Sequence, residues 1–466
     1  MKQTINRPPL ASGNIPLIGH ALSFAKNRKR LIQRGFKQHG TMFTLRLGRK
    51  NLIVLVGPEH HRTFFMQTDK SLNIGKPYAF LKPIVGEVMF VAGPETYNKQ
   101  RLVFYEPFKR DKMKRYLSSM QMEIQRWLDQ LGEEGKIEIG AEMRYLTQQV
   151  AARTFMGEDF ARSVGDEFWE QYLIISKALD PLLPPHLPLP KFIRRDKARK
   201  KMLEILHPIV SKRIAHPDQY DDFLQDLINK SSETGIEGEE FILNLIIGMM
   251  FAGHETTAGQ AAWTIIQLLQ HPQYFENVKT EVENLPWKEP LEQIHLGQIN
   301  HINWAASESG RMHPSADIMM RLVEKPIEIE GFHIPPGDLL MVSPSISHYD
   351  PNVFPNPDQF DPYRFQRHPE KPKMHPYAII GFGGGRHLCA GMNFALQEIS
   401  LITALLVQQF ELTLAEGTPQ NIAEDSRNGP VPTYIHYRRK TKPEHIVQAP
   451  AEMLCPHLAE KGVREN

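Results

Sequence analysis

The sequence predicts a mainly α-helical fold that also contains small β-sheets. Between about Glu95 and Lys279, apolar residues recur at the three- and four-residue spacing of amphipathic helices, and most prolines fall in connections. Two shorter regions, one near the N-terminus and one after Pro314, are instead rich in strand- and turn-forming residues. Helices are therefore expected to form most of the chain.

The individual elements follow from local patterns. An amphipathic helix is expected near Arg28 to Gln38, and TMFTLRLGRKNLIVLVGP (residues 41–58) predicts two strands joined by a Gly/Lys/Asn turn. A long apolar helix is expected from Glu239 to Leu269, and the polar residues of AGHETTAG in its middle need a reason. Residues 348–376 are rich in Pro and Asp and should be irregular, whereas a last long helix should begin at Gly391.

Length and composition indicate an ordinary globular protein. The chain has 466 residues, of which 41% are hydrophobic and 23% charged, without the bias of a disordered or fibrous sequence. Internal repeats and disordered linkers are not evident, so we expect one domain over residues 1–466. The 55 Lys and Arg residues nearly balance 53 Asp and Glu residues, and the net charge of +2 gives no indication of a nucleic-acid partner.

The cysteine count and the N-terminus bear on the compartment. Two cysteines, Cys389 and Cys455, are too few for a disulfide scaffold in a chain of this length, which favours a reducing environment. The first residues, MKQTINRPPLASGNIPLIGHALSF, contain no apolar run of signal-peptide or membrane-spanning length before prolines interrupt them. The sequence therefore predicts a soluble, cytoplasmic protein without a transmembrane segment.

The most informative motif is FGGGRHLCAG, residues 382–391, where three glycines and an aromatic residue precede Cys389 and an apolar helix follows. Glycines allow the backbone to approach a flat ligand closely, and a thiolate near a helix start is favoured by the helix dipole and by nearby N–H groups. Such a sulfur is a suitable axial ligand for heme iron and would favour O–O cleavage. The alternative is a structural cysteine buried in a glycine turn, but the ten-residue pattern is more specific than that.

This motif resembles the heme-binding signature of the cytochrome P450 superfamily, with Phe382, Gly385, His387, Cys389 and Gly391 at the signature positions. The resemblance extends over nearly the whole chain, because further motifs follow in the family's order and separation. It implies the cytochrome P450 fold, with heme b between the long central helix and the helix after the cysteine loop. It also implies that Cys389 is the iron ligand and that Phe382, His387 and Gly391 belong to the heme site.

Glu308 and Arg311, in ESGR, lie three residues apart on a helix and can pair on one face. By themselves they would be an ordinary surface ion pair. Their position resembles the family's Glu-x-x-Arg motif, and Arg364 in FDPYRF matches its third member. The resemblance implies that these residues stabilise the irregular loop behind the heme and take no part in catalysis.

Heme propionates need cationic or hydrogen-bonding partners, because an unpaired buried charge is costly. By resemblance to the family, the candidates are Tyr97, Arg101, Arg321 and His387. Each could instead be a solvated surface group. Tyr97 departs from the tryptophan common at its position, although a phenol can also donate a hydrogen bond.

In AGHETT, Ala252 and Gly253 are small enough to leave space for a diatomic ligand, and Glu255 and Thr256 add an acid and a hydroxyl. Cleavage of dioxygen consumes two protons, so a buried site needs a relay that delivers them without admitting excess water. We therefore expect Glu255 and Thr256 to be catalytic. The alternative is that Thr256 bonds back to a helix carbonyl while Glu255 faces solvent. His254 is expected to be packed or exposed and not to be a second axial ligand.

Residues 77–95, PYAFLKPIVGEVMFVAGPE, are rich in apolar side chains where the family places a mobile loop over the substrate. This segment, RMHP followed by MMRL, SPSISHYDP and YIHYRRK resemble the sterol 14α-demethylase group. That group typically has His-Thr in place of Glu255 and Thr256, and usually an aromatic residue in place of Val85, so sterol-, terpenoid- and fatty-acid-like substrates all remain open. Apolar residues here are core residues by default, and the candidates for the substrate pocket are Tyr78, Phe80, Leu81, Val85, Met89, Met250, Phe251 and Ala252.

Two basic segments indicate surfaces for partners. Residues 179–201 combine a proline-rich apolar loop with RRDKARKK and could rest on an anionic membrane surface, although a substrate-entrance loop followed by a solvated helix face is the simpler interpretation. FKRDKMKRY, residues 108–116, would by resemblance to the family lie on the cysteine side of the heme, where an acidic electron donor could dock. The sequence shows no flavin or iron–sulfur domain, so we expect the electrons to come from a ferredoxin or flavodoxin with an NAD(P)H reductase. We also expect the protein to be a monomer.

The sequence thus predicts a heme-thiolate monooxygenase that uses dioxygen, two electrons and two protons to insert one oxygen atom into an apolar substrate. One alternative is a heme-thiolate enzyme that uses or rearranges peroxides; such enzymes often lack the acid–alcohol pair, so Glu255 and Thr256 argue against it. A second alternative is a non-enzymatic heme protein that only binds ligands and needs no proton relay.

Overall fold

The computed structural model describes residues 6–89, 91–163, 165–181, 183–236, 238–287, 291, 293–366, 373–416 and 429–441, so Cys455 lies outside the described part. Helices dominate, and the predicted fold class, mainly α with small β-sheets, is confirmed. The α-helices of the described residues are α1 Ala21–His39, α2 Pro58–Gln67, α3 Lys82–Val85, α4 Pro94–Tyr105, α5 Arg110–Gln130, α6 Ile139–Met156, α7 Glu158–Ser163, α8 Gly165–Lys177, α9 Pro190–Ala215, α10 Phe223–Glu233, α11 Glu239–Gln270, α12 Pro272–Glu283, α13 Gln293–Gln298, α14 Asn300–Met312, α15 Pro344–Ser347 and α16 Met392–Gln409.

The strands are short, and most of them lie between helices along the chain. The strands of the described residues are β1 Met42–Leu47, β2 Lys50–Leu55, β3 Leu72–Asn73, β4 Glu134–Glu138, β5 Met319–Val323, β6 Ile327–Ile329, β7 Phe332–Ile334, β8 Leu339–Val342, β9 Phe410–Leu414 and β10 Tyr434–Arg439. They form a five-stranded sheet in the order β1-β2-β8-β5-β3, a three-stranded sheet β4-β10-β9 and the pair β6-β7. β1 and β2 are the antiparallel pair that residues 41–58 predict, and β2 runs parallel to β8.

Both faces of the five-stranded sheet are buried. Alternate residues of a strand lie on opposite faces, so Leu52 and Val54 pack in one apolar cluster with Ile32 of α1, and Ile53 packs in another with Phe65 of α2. This explains why β2 is a nearly continuous apolar run. The sheet thereby fixes α2, whose Phe65 also contacts the cysteine loop.

α11 is the central helix. It packs against α6, α9, α14 and α16, and buried side chains lie around its circumference because neighbours cover it on several sides. By length and composition it is the one helix of the described residues that could cross a membrane, yet 67% of its most apolar window is buried inside the protein. Its apolar character is therefore accounted for by its position in the core.

Two elements depart from the sequence expectation. α1 begins at Ala21 and bends at Asn27 (φ −154°, ψ 84°), so the expected helix covers only its second part. β4 interrupts the helical region because it pairs with β10, where Ile137 lies opposite Ile435. A strand whose partner is so distant in sequence leaves little local signal.

Candidate functional site

The cysteine loop turns tightly against α2. Cys389 N–H donates to Phe382 O at 2.9 Å, which closes the loop ahead of α16. Gly385 has φ +60°, and a Cβ at Gly384 would lie 2.8 Å from the Phe65 ring. Side chains at these two glycines would push the loop away from α2, and their absence lets the loop stay in contact.

The Cys389 thiol lies in a recess that solvent still reaches. The residue is exposed to solvent, yet enough protein surrounds it that burial raises the pKa of the thiol, while the hydrogen bond from Gly391 N–H lowers that pKa. The thiolate expected at a helix start is therefore not favoured by the protein alone. A metal ion would supply the missing positive charge, because coordination deprotonates a thiol.

The middle of α11 is open to solvent. Ala252 is exposed, and Phe251, Glu255 and Thr256 are partly exposed, although buried residues precede and follow them. Thr256 Oγ1 donates to Ala252 O at 2.8 Å, so the back-bonding alternative is the geometry present here. Burial, and to a smaller extent the charge of Glu255, raises the pKa of the Tyr172 phenol. The Glu255 side chain therefore lies on the side of α11 that faces α8. The acid and the alcohol are neighbours on the helix without a direct bond between them in the described structure.

His254 is packed. Its ring centroid lies 4.8 Å from that of Tyr172 and 5.2 Å from that of Trp169, and its Nε2 lies 3.2 Å from Gln148 Nε2. Burial lowers the pKa of His254 to about 4, so the imidazole is neutral at pH 7. The structure therefore gives this histidine a packing position between α6, α8 and α11.

Arg321 and Arg101 are cations that lack a carboxylate partner among the residues described. Arg321 is 3% exposed, and it donates to Thr68 Oγ1 at 3.2 Å and to Met320 O at 2.9 Å. Burial lowers the pKa of Arg321 to about 10, which leaves it charged at pH 7. The guanidinium of Arg101 lies 5.8 Å from the ring centroid of Tyr97. A buried guanidinium without a counter-ion is suited to bind a heme propionate, because the propionate would supply the missing negative charge.

Tyr97 and His387, which are also expected to face a propionate, have protein partners in the described structure. The Tyr97 hydroxyl donates to Arg386 O at 2.6 Å, so its proton is already used by the cysteine loop. His387 Nε2 lies 2.8 Å from Asp69 Oδ2, and both side chains are buried. Since the Tyr97 and His387 rings also lie 3.9 Å apart, these residues support the loop in this structure.

Sequence reasoning missed three residues that hold the loop. Asp69 binds His387, the Tyr105 hydroxyl donates to Leu388 O at 2.8 Å, and Phe65 packs under the glycines. None belongs to a motif that could have identified it. Each acquires its role only because α2 and α4 fold against the loop.

Glu308, Arg311 and Arg364 meet in the interior. Arg311 Nε and Nη2 donate to the two oxygens of Glu308 at 2.8 and 2.9 Å, and Arg364 Nε donates to Glu308 Oε1 at 2.9 Å. Arg311 also donates to His348 O and Pro357 O, each at 2.8 Å, and to Gln359 O at 3.4 Å. The cluster thus ties the irregular chain after α15 to α14, an arrangement that supports a folding role.

Apart from Ala252, which is exposed, the candidate pocket residues fall into two groups. Val85, Met89 and Met250 are buried in the main apolar core, so in this structure they are core residues. Tyr78, Leu81 and Phe251 are partly exposed and pack against that core, and Phe80 is also partly exposed. The Tyr78 hydroxyl accepts from Met320 N–H at 3.1 Å, which ties this segment to β5.

The residues present fit a heme. An accessible thiol at Cys389, a buried guanidinium without a counter-ion at Arg321 and an exposed small residue at Ala252 suit an iron ligand, a propionate partner and a face open to a diatomic molecule. α11 packs against α16, the helix that follows the cysteine loop. The donor set therefore has the chemistry that a heme-thiolate site requires.

Comparison with known proteins gives the same assignment. The cytochrome P450 family model matches residues 8–435. A sterol 14alpha-demethylase of Mycolicibacterium vanbaalenii is 31% identical over 453 residues, 94% of this chain and 99% of that protein. Lanosterol 14-alpha demethylase of Homo sapiens is 26% identical over 94% of this chain and 88% of its own length. A structure of retinoic acid bound cyanobacterial CYP120A1 matches with a TM-score of 0.81 at 26% identity, covering 94% of this chain and 100% of that one.

The family resemblance of the cysteine loop is confirmed by these matches, which extend far beyond the motif itself. The chain belongs to the cytochrome P450 family and is a heme-dependent oxidoreductase, a heme-thiolate monooxygenase.

Proposed function

We propose that this monooxygenase inserts one oxygen atom into an apolar sterol-, terpenoid- or fatty-acid-like substrate, with heme b as cofactor and a separate protein as electron donor. The observation that carries the proposal is the combination of an accessible Cys389 with a central helix whose open middle presents Ala252, Glu255 and Thr256. A heme bound through Cys389 supplies the activation of dioxygen.

Glu255 and Thr256 are proposed to hold and deliver protons. Because Thr256 Oγ1 donates its own hydrogen to Ala252 O, the oxygen remains able to accept a hydrogen bond from water and to hold that proton near the site. Glu255 is partly exposed and can take up protons that reach it through solvent. This acid–alcohol pair favours the monooxygenase over a peroxide-using enzyme or a ligand carrier.

An apolar substrate is supported by the side chains and by the relatives. Tyr78, Leu81 and Phe251 lie at the edge of the core, partly exposed, and provide apolar surface for a ligand. The relatives are named for sterols, and the matching structure is named for retinoic acid, all of them molecules with a large apolar portion. Because Glu255 and Val85 depart from the usual sterol demethylase pattern, we propose the broader class.

The electron donor is proposed to be a ferredoxin or flavodoxin that docks near the start of α5. Arg110 and Lys114 are exposed there. Lys112 and Arg115, in contrast, bind Asp226 at 2.6 Å each and are therefore less available to a partner. The exposed pair supplies the positive charge that attracts an acidic protein.

The proposed iron ligand is tested by spectroscopy of the heme-loaded protein. The reduced protein with carbon monoxide should give the long-wavelength Soret band of a thiolate-ligated heme. Cys389→Ser should lose that band, since Cys389 is the cysteine of the heme motif. A Cys389→Ser protein that kept the band would contradict the assignment.

The proposed relay is tested by coupling of electron consumption to product. Thr256→Ala should still consume NAD(P)H through a surrogate redox chain, but product should fall and hydrogen peroxide should rise. Glu255→Gln should slow turnover by about a hundredfold to ten-thousandfold, the usual range for general acid–base catalysis, and by less if water replaces the carboxylate.

Thr257→Ala is the matched control. Thr257 also bonds back to a helix carbonyl, Gly253 O at 2.7 Å, but it is buried, so its removal should leave coupling unchanged. Heme content and the carbon monoxide spectrum should survive all three changes. Equal product yield in Thr256→Ala, Glu255→Gln and the wild type would exclude the relay and favour peroxide-driven chemistry.

A further inference from the structure

Arg199, on α9, is a partly buried cation whose hydrogen-bond partners are neutral. Its Nε donates to Ile84 O at 2.8 Å, and its Nη2 donates to Asn244 Oδ1 at 2.5 Å. A guanidinium carries more N–H groups than these two bonds use. Within the described parts of the chain, no carboxylate forms an ion pair with Arg199. A positively charged group with unused donors therefore lies where α3, α9 and α11 meet.

Another arginine of the same helix has the carboxylate partner that a buried cation usually has. Arg213 is 3% exposed and pairs with Asp222 at 2.7 Å, as a buried cation normally requires. Around Arg199, burial lowers the pKa of the guanidinium, whereas Glu240 and Asp196 raise it from beyond ion-pair distance. The positive charge of Arg199 is thus only partly offset by the protein.

The position of Arg199 relates it to the proposed oxidation site. Ile84 belongs to α3, in the segment expected over the substrate, and α3, α9 and α11 pack against one another. Asn244 precedes Ala252 on α11 by 252 − 244 = 8 residues. At about 1.5 Å per helical residue, this separation is roughly 12 Å along the helix. Because eight residues at about 3.6 per turn also leave the two positions about 80° apart around the helix, a ligand held at Arg199 has to extend over at least this length to reach Ala252.

We propose that Arg199 binds the carboxylate of an apolar carboxylic acid whose oxidised carbon lies at least roughly 12 Å from that carboxylate. The proposal rests on the proposed function and narrows its substrate class. Two bonds from Arg199 to Ile84 O and Asn244 hold the guanidinium in place, and its other N–H groups bind the carboxylate oxygens. Such charge-assisted bonds are among the stronger hydrogen bonds in proteins.

The test compares an acid with its neutral ester. Heme-loaded wild-type protein is titrated with dodecanoic acid and with methyl dodecanoate, and the substrate-induced spin-state change of the heme gives each Kd. Because hydrogen bonds to charged groups contribute more than neutral ones, the acid should bind roughly tenfold to a hundredfold more tightly. Arg199→Met should remove this preference while ester binding stays close to that of the wild type. Lys200→Met, a charge change at an exposed position of the same helix, should keep it.

The outcomes separate this inference from the proposed function. Equal affinities for acid and ester in the wild type would overturn the inference, and that comparison does not depend on whether Arg199→Met folds. An equal loss of both ligands in Arg199→Met would show that Arg199 only holds α3 in place. Absence of the thiolate carbon monoxide band would overturn the proposed function itself. A protein with that band that responds to the ester and not to the acid contradicts the role of Arg199 alone.

Discussion

The buried cluster of Glu308, Arg311 and Arg364 gives a graded prediction for stability. The Glu308 carboxylate is fully buried and accepts from both guanidiniums and from Asp361 N–H, at 2.8 to 3.0 Å. Glu308→Gln would leave two buried guanidiniums facing a neutral amide. Removing one partner of a buried ion pair costs about 3–5 kcal/mol of the free energy of unfolding.

Two other substitutions should lower the free energy of unfolding by less than Glu308→Gln does. Arg364→Gln removes the bond to Glu308 and two longer bonds to Pro355 O and Gln359 O, but it leaves the two-bond pair of Arg311 with Glu308. It should therefore cost about 1.5–3 kcal/mol. Glu95→Gln is the control, because Glu95 pairs with Lys99 at the surface with side chains 86% and 67% exposed. Surface pairs of this kind contribute little.

The order of the stabilities is measured by urea unfolding of the heme-loaded proteins, followed by far-UV circular dichroism and by the Soret band. The midpoint should fall from wild type and Glu95→Gln, which are similar, to Arg364→Gln and then to Glu308→Gln. A midpoint of Glu308→Gln equal to that of Glu95→Gln would refute the stabilising role. If Glu308→Gln yields no folded protein, the comparison of Arg364→Gln with Glu95→Gln decides whether the cluster stabilises the fold.

Three further predictions concern pH, heme retention and the cysteine loop. Burial lowers the pKa values of the His254 and His313 imidazoles to about 4 and about 3. Below pH 6.5 the unfolded chain therefore binds protons that the folded chain does not, and the thermal unfolding midpoint should fall from pH 7 to pH 5. A midpoint that does not change over this range would contradict the prediction. Arg321→Ala should lose more heme on gel filtration than Arg101→Ala, because neither arginine has a counter-ion in the described structure but Arg321 is the more deeply buried; wild-type retention in both would show that other groups hold the propionates. Tyr97→Phe should keep its heme and lose about 1 kcal/mol of stability, because the hydroxyl binds a loop carbonyl; a protein depleted of heme would instead support the propionate role.

Much of the candidate site could be predicted from sequence because its motifs are local. The spacing of Glu308 and Arg311 requires only one turn of helix, and the glycines before Cys389 specify a tight loop whatever surrounds it. The polar residues within the apolar α11 likewise mark the part of that helix that is open in the structure. The match to the cytochrome P450 family confirms the interpretation of the cysteine loop.

The tertiary structure alone decided which distant groups meet. His387 pairs with Asp69, 318 residues away, and the Tyr97 hydroxyl donates to a loop carbonyl, so two expected propionate partners also have protein partners that the sequence did not indicate. Arg199 is one of several basic residues in a charged helix, and its unpaired charge becomes evident only when α3 and α11 pack beside it. Spacing along the chain determines what a helix or loop presents, whereas the partner of a buried charge depends on how those elements are packed, because buried charges interact over a few ångströms of space and not over sequence.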